Sequence, residues 1–152
     1  MKWQPKDISL YFQSQEYVDT LCIPLIPIEH TNESEAKKLA DQQKSLQLIS
    51  DELERNFTGR IFLSPSYTYI RGNDYEVESK RLNQWTSSLS NNRFQHIFFL
   101  TYDVNWKKHE NIIGGSLLWL TANSITDYQS DQTKQWIKDQ INQISELIRS
   151  YW

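Results

Sequence analysis

The chain has 152 residues, 38% of them hydrophobic and 23% charged, with a formal charge of -3. That length and apolar content suit one domain burying roughly 70% of its unfolded surface, and the charge lacks the positive excess that phosphate neutralisation demands, so nucleic acid is not an expected partner. The single cysteine, Cys22, excludes an internal disulfide framework and a cysteine-rich zinc site, and its apolar surroundings mark it as a small buried hydrophobe.

The opening residues, MKWQPKD, have no apolar stretch behind their lysines, and no later run approaches the eighteen or so apolar residues of a membrane span. A cytoplasmic protein is expected. Asp7 can cap a short helix through Ile8, Tyr11 and Phe12. Residues 17–28 follow as a first strand whose apolar run contains Pro24 and Pro27. Each proline removes a ladder donor, and three positions apart in a period-two strand they remove one on each edge. Full pairing is therefore expected to stop near Ile23, with the rest of the segment leaving the sheet and carrying Glu29 and His30 to its carboxyl edge.

Asn32, with Glu35 three residues later, forms a capping-box signature ahead of Leu39, Leu46, Ile49, Leu53 and Phe57 at helical spacing. Gly59 sits where that helix ends, and residues 60–64 start the next strand, which favours a parallel pair joined by a crossover. After residues 67–70 comes a loop and cap at 71–74, then a helix marked by Tyr75, Leu82, Trp85 and Leu89 and closed by Asn91 and Asn92. Residues 94–102 are the most continuous apolar strand and are placed centrally. The following loop is too short and too aperiodic for a crossover helix, so residues 112–122 are expected to return antiparallel, with Gly114 and Gly115 as a bulge. Trp136, Ile137, Ile141, Ile144, Leu147, Ile148 and Tyr151 mark a final helix.

The expected fold is a single α/β domain over 1–152: a short N-terminal helix, then β-α-β-α-β-β-α, with a mixed, mainly parallel sheet of about four strands packed by helices. In such sheets ligands bind at the carboxyl ends of the strands. Those ends offer Glu29 and His30, then Ser64, Ser66, Tyr67 and Thr68, then Thr101 and Asp103, a set able to bind a sugar or phosphate or to shuttle a proton. The same residues also fit plain strand exits and turns. His30, His96 and His109 share no metal-ligand spacing, and neither a phosphate loop nor a nucleophile elbow is present, so no metal or cofactor is expected. Six tryptophans suggest a protein partner, and Trp3, Trp106 with Lys107 and Lys108, and Trp152 fall at termini or in a loop where an exposed indole would serve binding. Trp85, Trp119 and Trp136 fit core faces.

Lys6-Asp7-Ile8, Tyr17-Val18-Asp19-Thr20 leading into Pro24-Leu25-Ile26-Pro27-Ile28, Glu52-Leu53-Glu54-Arg55 with Gly59-Arg60, and Pro65 followed by Thr68-Tyr69 together resemble the YpiF-like family of uncharacterised Firmicute proteins. The resemblance implies a bacterial cytoplasmic protein with an accessory role, and it assigns no catalytic residue. Two functions are carried forward. The first is a non-enzymatic domain acting through protein contacts by its exposed aromatics. The second is a small-molecule or nucleotide-binding enzyme using Glu29 or His30 as acid or base, with Ser66, Tyr67 and Asp103 positioning substrate.

Overall fold

A computed structural model describes residues 1–152. The elements, in chain order, are α1 (Pro5–Ser14), β1 (Thr20–Ile28), α2 (Glu33–Asn56), β2 (Ile61–Leu63), β3 (Tyr67–Ile70), α3 (Tyr75–Ser90), β4 (His96–Thr101), β5 (Ser116–Trp119) and α4 (Asp131–Arg149). Short 3₁₀ turns follow α1 (Gln15–Tyr17) and β4 (Val104–His109). Strand order is β2-β1-β4-β5, with β3 also paired to β1, and every pairing is parallel.

Alternation along β1 sorts the core into two layers. Cys22 and Ile26 point to the face covered by α2 and α4, where Leu46, Ile49, Leu53, Ile144 and Ile148 are buried. Leu21, Ile23 and Leu25 point to the other face, against Leu82 of α3 and Trp106. The chain leaves β1 toward β2, then returns to β1's other side at β4, so the strand order reverses between β1 and β4 while the strands stay parallel, as in doubly wound sheets.

The two prolines are accommodated differently from the expectation. β1 is one nine-residue strand paired along its length, with Pro24 opposite Leu100 and Pro27 opposite Tyr69. The even-numbered residues of β1 direct their backbone groups toward β2 and β3: Thr20 N–H donates to the Arg60 carbonyl, and the Cys22 and Ile28 carbonyls accept from the amides of Ser64 and Arg71. Pro24 therefore lacks its donor on that side, and its neighbour is interrupted there, because β2 ends opposite Cys22 and β3 begins opposite Leu25. Residues 64–66 form a bulge carrying one residue more than the β1 segment they face. Pro27 lacks its donor on the β4 side, beyond Thr101, where β4 has ended. The prolines do sit on opposite edges, but the neighbouring strands stop where a donor is missing, and β1 continues.

A second correction concerns β5, which runs parallel to β4, not antiparallel, and spans only Ser116–Trp119. Residues 102–115 exceed the dozen or so that a parallel crossover needs. The 3₁₀ turn of Val104–His109 rises about 2.0 Å per residue and so covers the length of a short strand without a full helix. Gly115 enters β5 so close to β4 that an added Cβ would lie 2.7 Å from the Ile97 carbonyl oxygen. That contact, and not a bulge, is the reason for glycine there. Asn83 of α3 holds the approach by accepting from Gly114 N–H at 2.7 Å and donating to the Ile112 carbonyl.

Candidate functional site

The carboxyl ends of β1 and β4 flank the reversal, and they divide the expected edge residues. Glu29 and His30 leave β1, and Thr101 and Asp103 leave β4. Ser64, Ser66, Tyr67 and Thr68 do not reach that edge, because β3 continues past them and places the bulge midway along β1. Ser64 is buried and donates to the Pro65 carbonyl at 2.9 Å, while Thr68 faces solvent from the β3 ladder.

Glu29 is committed to the local turn: its carboxylate accepts from Thr31 Oγ1, from Thr31 N–H at 2.8 Å and from Asn32 N–H at 3.0 Å. The Thr31 hydroxyl, then the two amides, hold its carboxyl below the ordinary range. His30 is exposed. Thr101 is fully buried and ties the two strands, donating to the Leu25 carbonyl at 3.2 Å and accepting from Asp103 N–H at 3.0 Å.

Asp103 is the centre of a closed network. One carboxylate oxygen caps the 3₁₀ turn through Asn105 N–H at 3.0 Å, and the other accepts from Tyr69 Oη at 2.5 Å and from Tyr75 Oη. Tyr69 Oη in turn accepts from Trp106 Nε1 at 2.8 Å, and the Trp106 ring packs edge-on to Tyr69 and Tyr75 with centroids 5.3 and 5.2 Å away. Burial, and then the bond to Asp103, push the Tyr69 phenol far up, and the same two causes raise Tyr75 to about 12. Both phenols thus remain donors across the neutral range and fix the carboxylate in place. Beside them, Tyr67 donates to the buried Glu78 at 2.8 Å, whose other oxygen accepts from Arg81 at 2.8 Å. Between β1 and α2 near Tyr102, the hollow measures about 10 Å³, at the lower limit for one water molecule. Tyr102 Oη closes it by accepting from Ser45 Oγ at 2.9 Å.

The expected aromatic surface is likewise divided. Trp106 is completely buried, which corrects the expectation of an exposed indole: the 3₁₀ turn presents it to the core as the anchor of the crossover. Trp152 is half-buried, donating to Thr20 Oγ1 at 2.9 Å with the Arg60 guanidinium 3.7 Å over its ring. Lys107 lies over Trp119, which is partly exposed on the edge strand and not in the core, and Lys108 is solvated. Of the indoles assigned to a partner surface, Trp3 at 65% is the exposed one.

The open region is elsewhere. A groove of about 760 Å³ runs between α2 and α4, floored by Leu48, Ile137 and Ile141 and rimmed by Lys44, Lys134 and Lys138. The volume lies in the range of ligand and recognition sites. Lys44, Leu48, Glu52 and Asn56 recur every fourth residue and make one wall. Tyr128 closes one end, its hydroxyl donating to Asp41 at 3.1 Å and its ring lying 4.2 Å below the Lys44 ammonium. None of the three rim lysines is ion-paired, as is also true of Lys6, Lys38, Lys107 and Lys108, whereas Lys2, Lys37 and Lys80 each meet a carboxylate. Sequence reasoning missed this groove, although Leu48 signalled it by lying outside the stripe of Leu39, Leu46, Ile49 and Leu53 that packs on the sheet.

A family described as a protein of unknown function, DUF2487, matches residues 9–152. The chain belongs to that family. It is 34% identical over 140 residues to the uncharacterized protein YpiF of Bacillus subtilis (strain 168), covering 92% of this chain and 89% of the relative. The likeness therefore extends through the α4 region. No solved structure matches. No helix is long and apolar enough to cross a membrane.

Proposed function

We propose that this DUF2487 chain is a non-enzymatic interaction domain, accessory in role and cytoplasmic, whose binding surface is the groove between α2 and α4. The observation that carries the reading is the groove itself: about 760 Å³, open, floored by the exposed Leu48, the half-buried Ile137 and the buried Ile141, and bordered by three ammonium groups that make no ion pair. Apolar area left uncovered beside unpaired charge is what a docking surface presents. Substrate binding at the β1 and β4 ends would need convergent, available polar groups and a hollow to hold the ligand. Glu29, Thr101 and Asp103 spend their hydrogen-bonding capacity on their own backbone and neighbours.

The test is capture of partners by the tagged full-length chain in the cells that make it, with wild type, Leu48→Asp and Asp103→Asn compared. A protein retained by wild type and Asp103→Asn but lost with Leu48→Asp is the expected result. The opposite pattern would overturn the proposal, as would a saturable thermal shift with a metabolite that Asp103→Asn abolishes.

A further inference from the structure

Resting on that reading, we propose that the occupant of the α2–α4 groove is an acidic amphipathic helix of a partner protein. The shape argues for a helix. The α2 wall from Lys44 to Asn56 is about 18 Å long at a rise of roughly 1.5 Å per residue, which matches about three turns of an added helix. Its floor of Leu48, Ile137 and Ile141 offers the apolar contacts that anchors at i, i+3 or i+4, and i+7 would fill.

The charge argues for an acidic one. Lys44, Lys134 and Lys138 face the groove against one carboxylate, Glu52, and that carboxylate is engaged by Arg55. The neighbouring Asp41 and Asp139, which accept from Tyr128 and Gln135, keep their charge but are not among the residues lining the groove. The side chains lining the groove thus carry three ammonium groups against one paired carboxylate, on a chain of formal charge -3. Two copies meeting groove to groove would bring like charges together, which disfavours self-association, and three lysines are too few for a nucleic-acid track.

The probes are three fluorescein-labelled peptides of about 16 residues, long enough for the three turns. One has leucine anchors at helical spacing with glutamate flanks, one has the same anchors with lysine flanks, and one has glutamate flanks with the anchors replaced by serine. The glutamate-flanked, leucine-anchored peptide is expected to bind the full-length chain at least about tenfold more tightly than either other peptide at low salt, with its margin over the lysine-flanked one narrowing as salt screens the charges. The double variant Lys134→Glu/Lys138→Glu should invert the charge preference, and Leu48→Asp should abolish binding, both variants keeping the wild-type circular dichroism spectrum. Equal affinity for the two leucine-anchored peptides, lost in Leu48→Asp, would overturn the acidic occupant while leaving the groove as the binding surface. Absence of binding by every peptide would overturn the helix-in-groove proposal. A concentration-dependent dimer in sedimentation that Leu48→Asp dissolves would replace it with a second copy of this chain.

Discussion

The carboxyl edge of the sheet and the groove between α2 and α4 both gather polar side chains, yet they differ in what those side chains are doing. At the edge, Asp103 accepts from two phenols and a backbone amide, and Trp106 donates into the same network. In the groove, Lys44, Lys134 and Lys138 make no ion pair and border the exposed Leu48 and the half-buried Ile137. Polar groups that satisfy one another hold a structure together, whereas unpaired charges beside open apolar surface remain available to a partner. Residue type alone did not separate the two, because the edge carries the more suggestive chemistry.

The comparison breaks if the edge tolerates damage. Trp106→Ala should have the largest effect, a loss of about 3–5 kcal/mol from the cavity alone, read by urea denaturation. Gly115→Ala forces a Cβ against the Ile97 carbonyl at 2.7 Å and should cost about 1–3 kcal/mol by the same measurement, as overpacking does. Tyr69→Phe removes the hydroxyl that joins Asp103 to Trp106 and should cost about 1–3 kcal/mol, since the indole N–H and the carboxylate each lose a partner.

Alkaline pH sharpens the same contrast. Tyr75 is raised to about 12 in the folded chain from an ordinary 10. Between those values the folded state keeps the phenolic proton that the unfolded state has lost, so this contribution is complete below about 10 and disappears as pH rises toward 12. Denaturation midpoints should fall across that window, less steeply in Tyr75→Phe. Smallest of all should be the stability change on Lys134→Glu/Lys138→Glu, within about 0.5 kcal/mol for exposed positions, even though the charge preference is inverted.

The parts of the fold governed by local chemistry were legible. Asn32 accepts from Glu35 N–H at 3.0 Å as the capping pattern required, although Glu29 and not Glu35 accepts from Asn32 N–H, and the stripe of Leu46, Ile49 and Leu53 faces the sheet. Period-two reasoning also put Pro24 and Pro27 on opposite edges of β1. It could not tell that the neighbours would yield, since the break at residues 64–66 answers a residue some forty positions earlier in the chain. The direction of β5 was equally non-local, because the connection through the 3₁₀ turn serves as a crossover only when Trp106 finds its pocket between Tyr69 and Tyr75. At the site, Asp103 was visible as a strand-end acid, while its phenol donors depended on β3 and α3 meeting over β1. The groove required knowing that α2 and α4 lie side by side, and Leu48, off the sheet-facing stripe, marks only one wall of it.

The most direct test of the account is amide-shift mapping of the ¹⁵N-labelled full-length chain titrated with the glutamate-flanked, leucine-anchored peptide. The account predicts saturable shifts over residues 44–56 and 128–142, with residues 29–32 and 101–106 unmoved. Shifts concentrated at the carboxyl edge, with the groove silent, would contradict it.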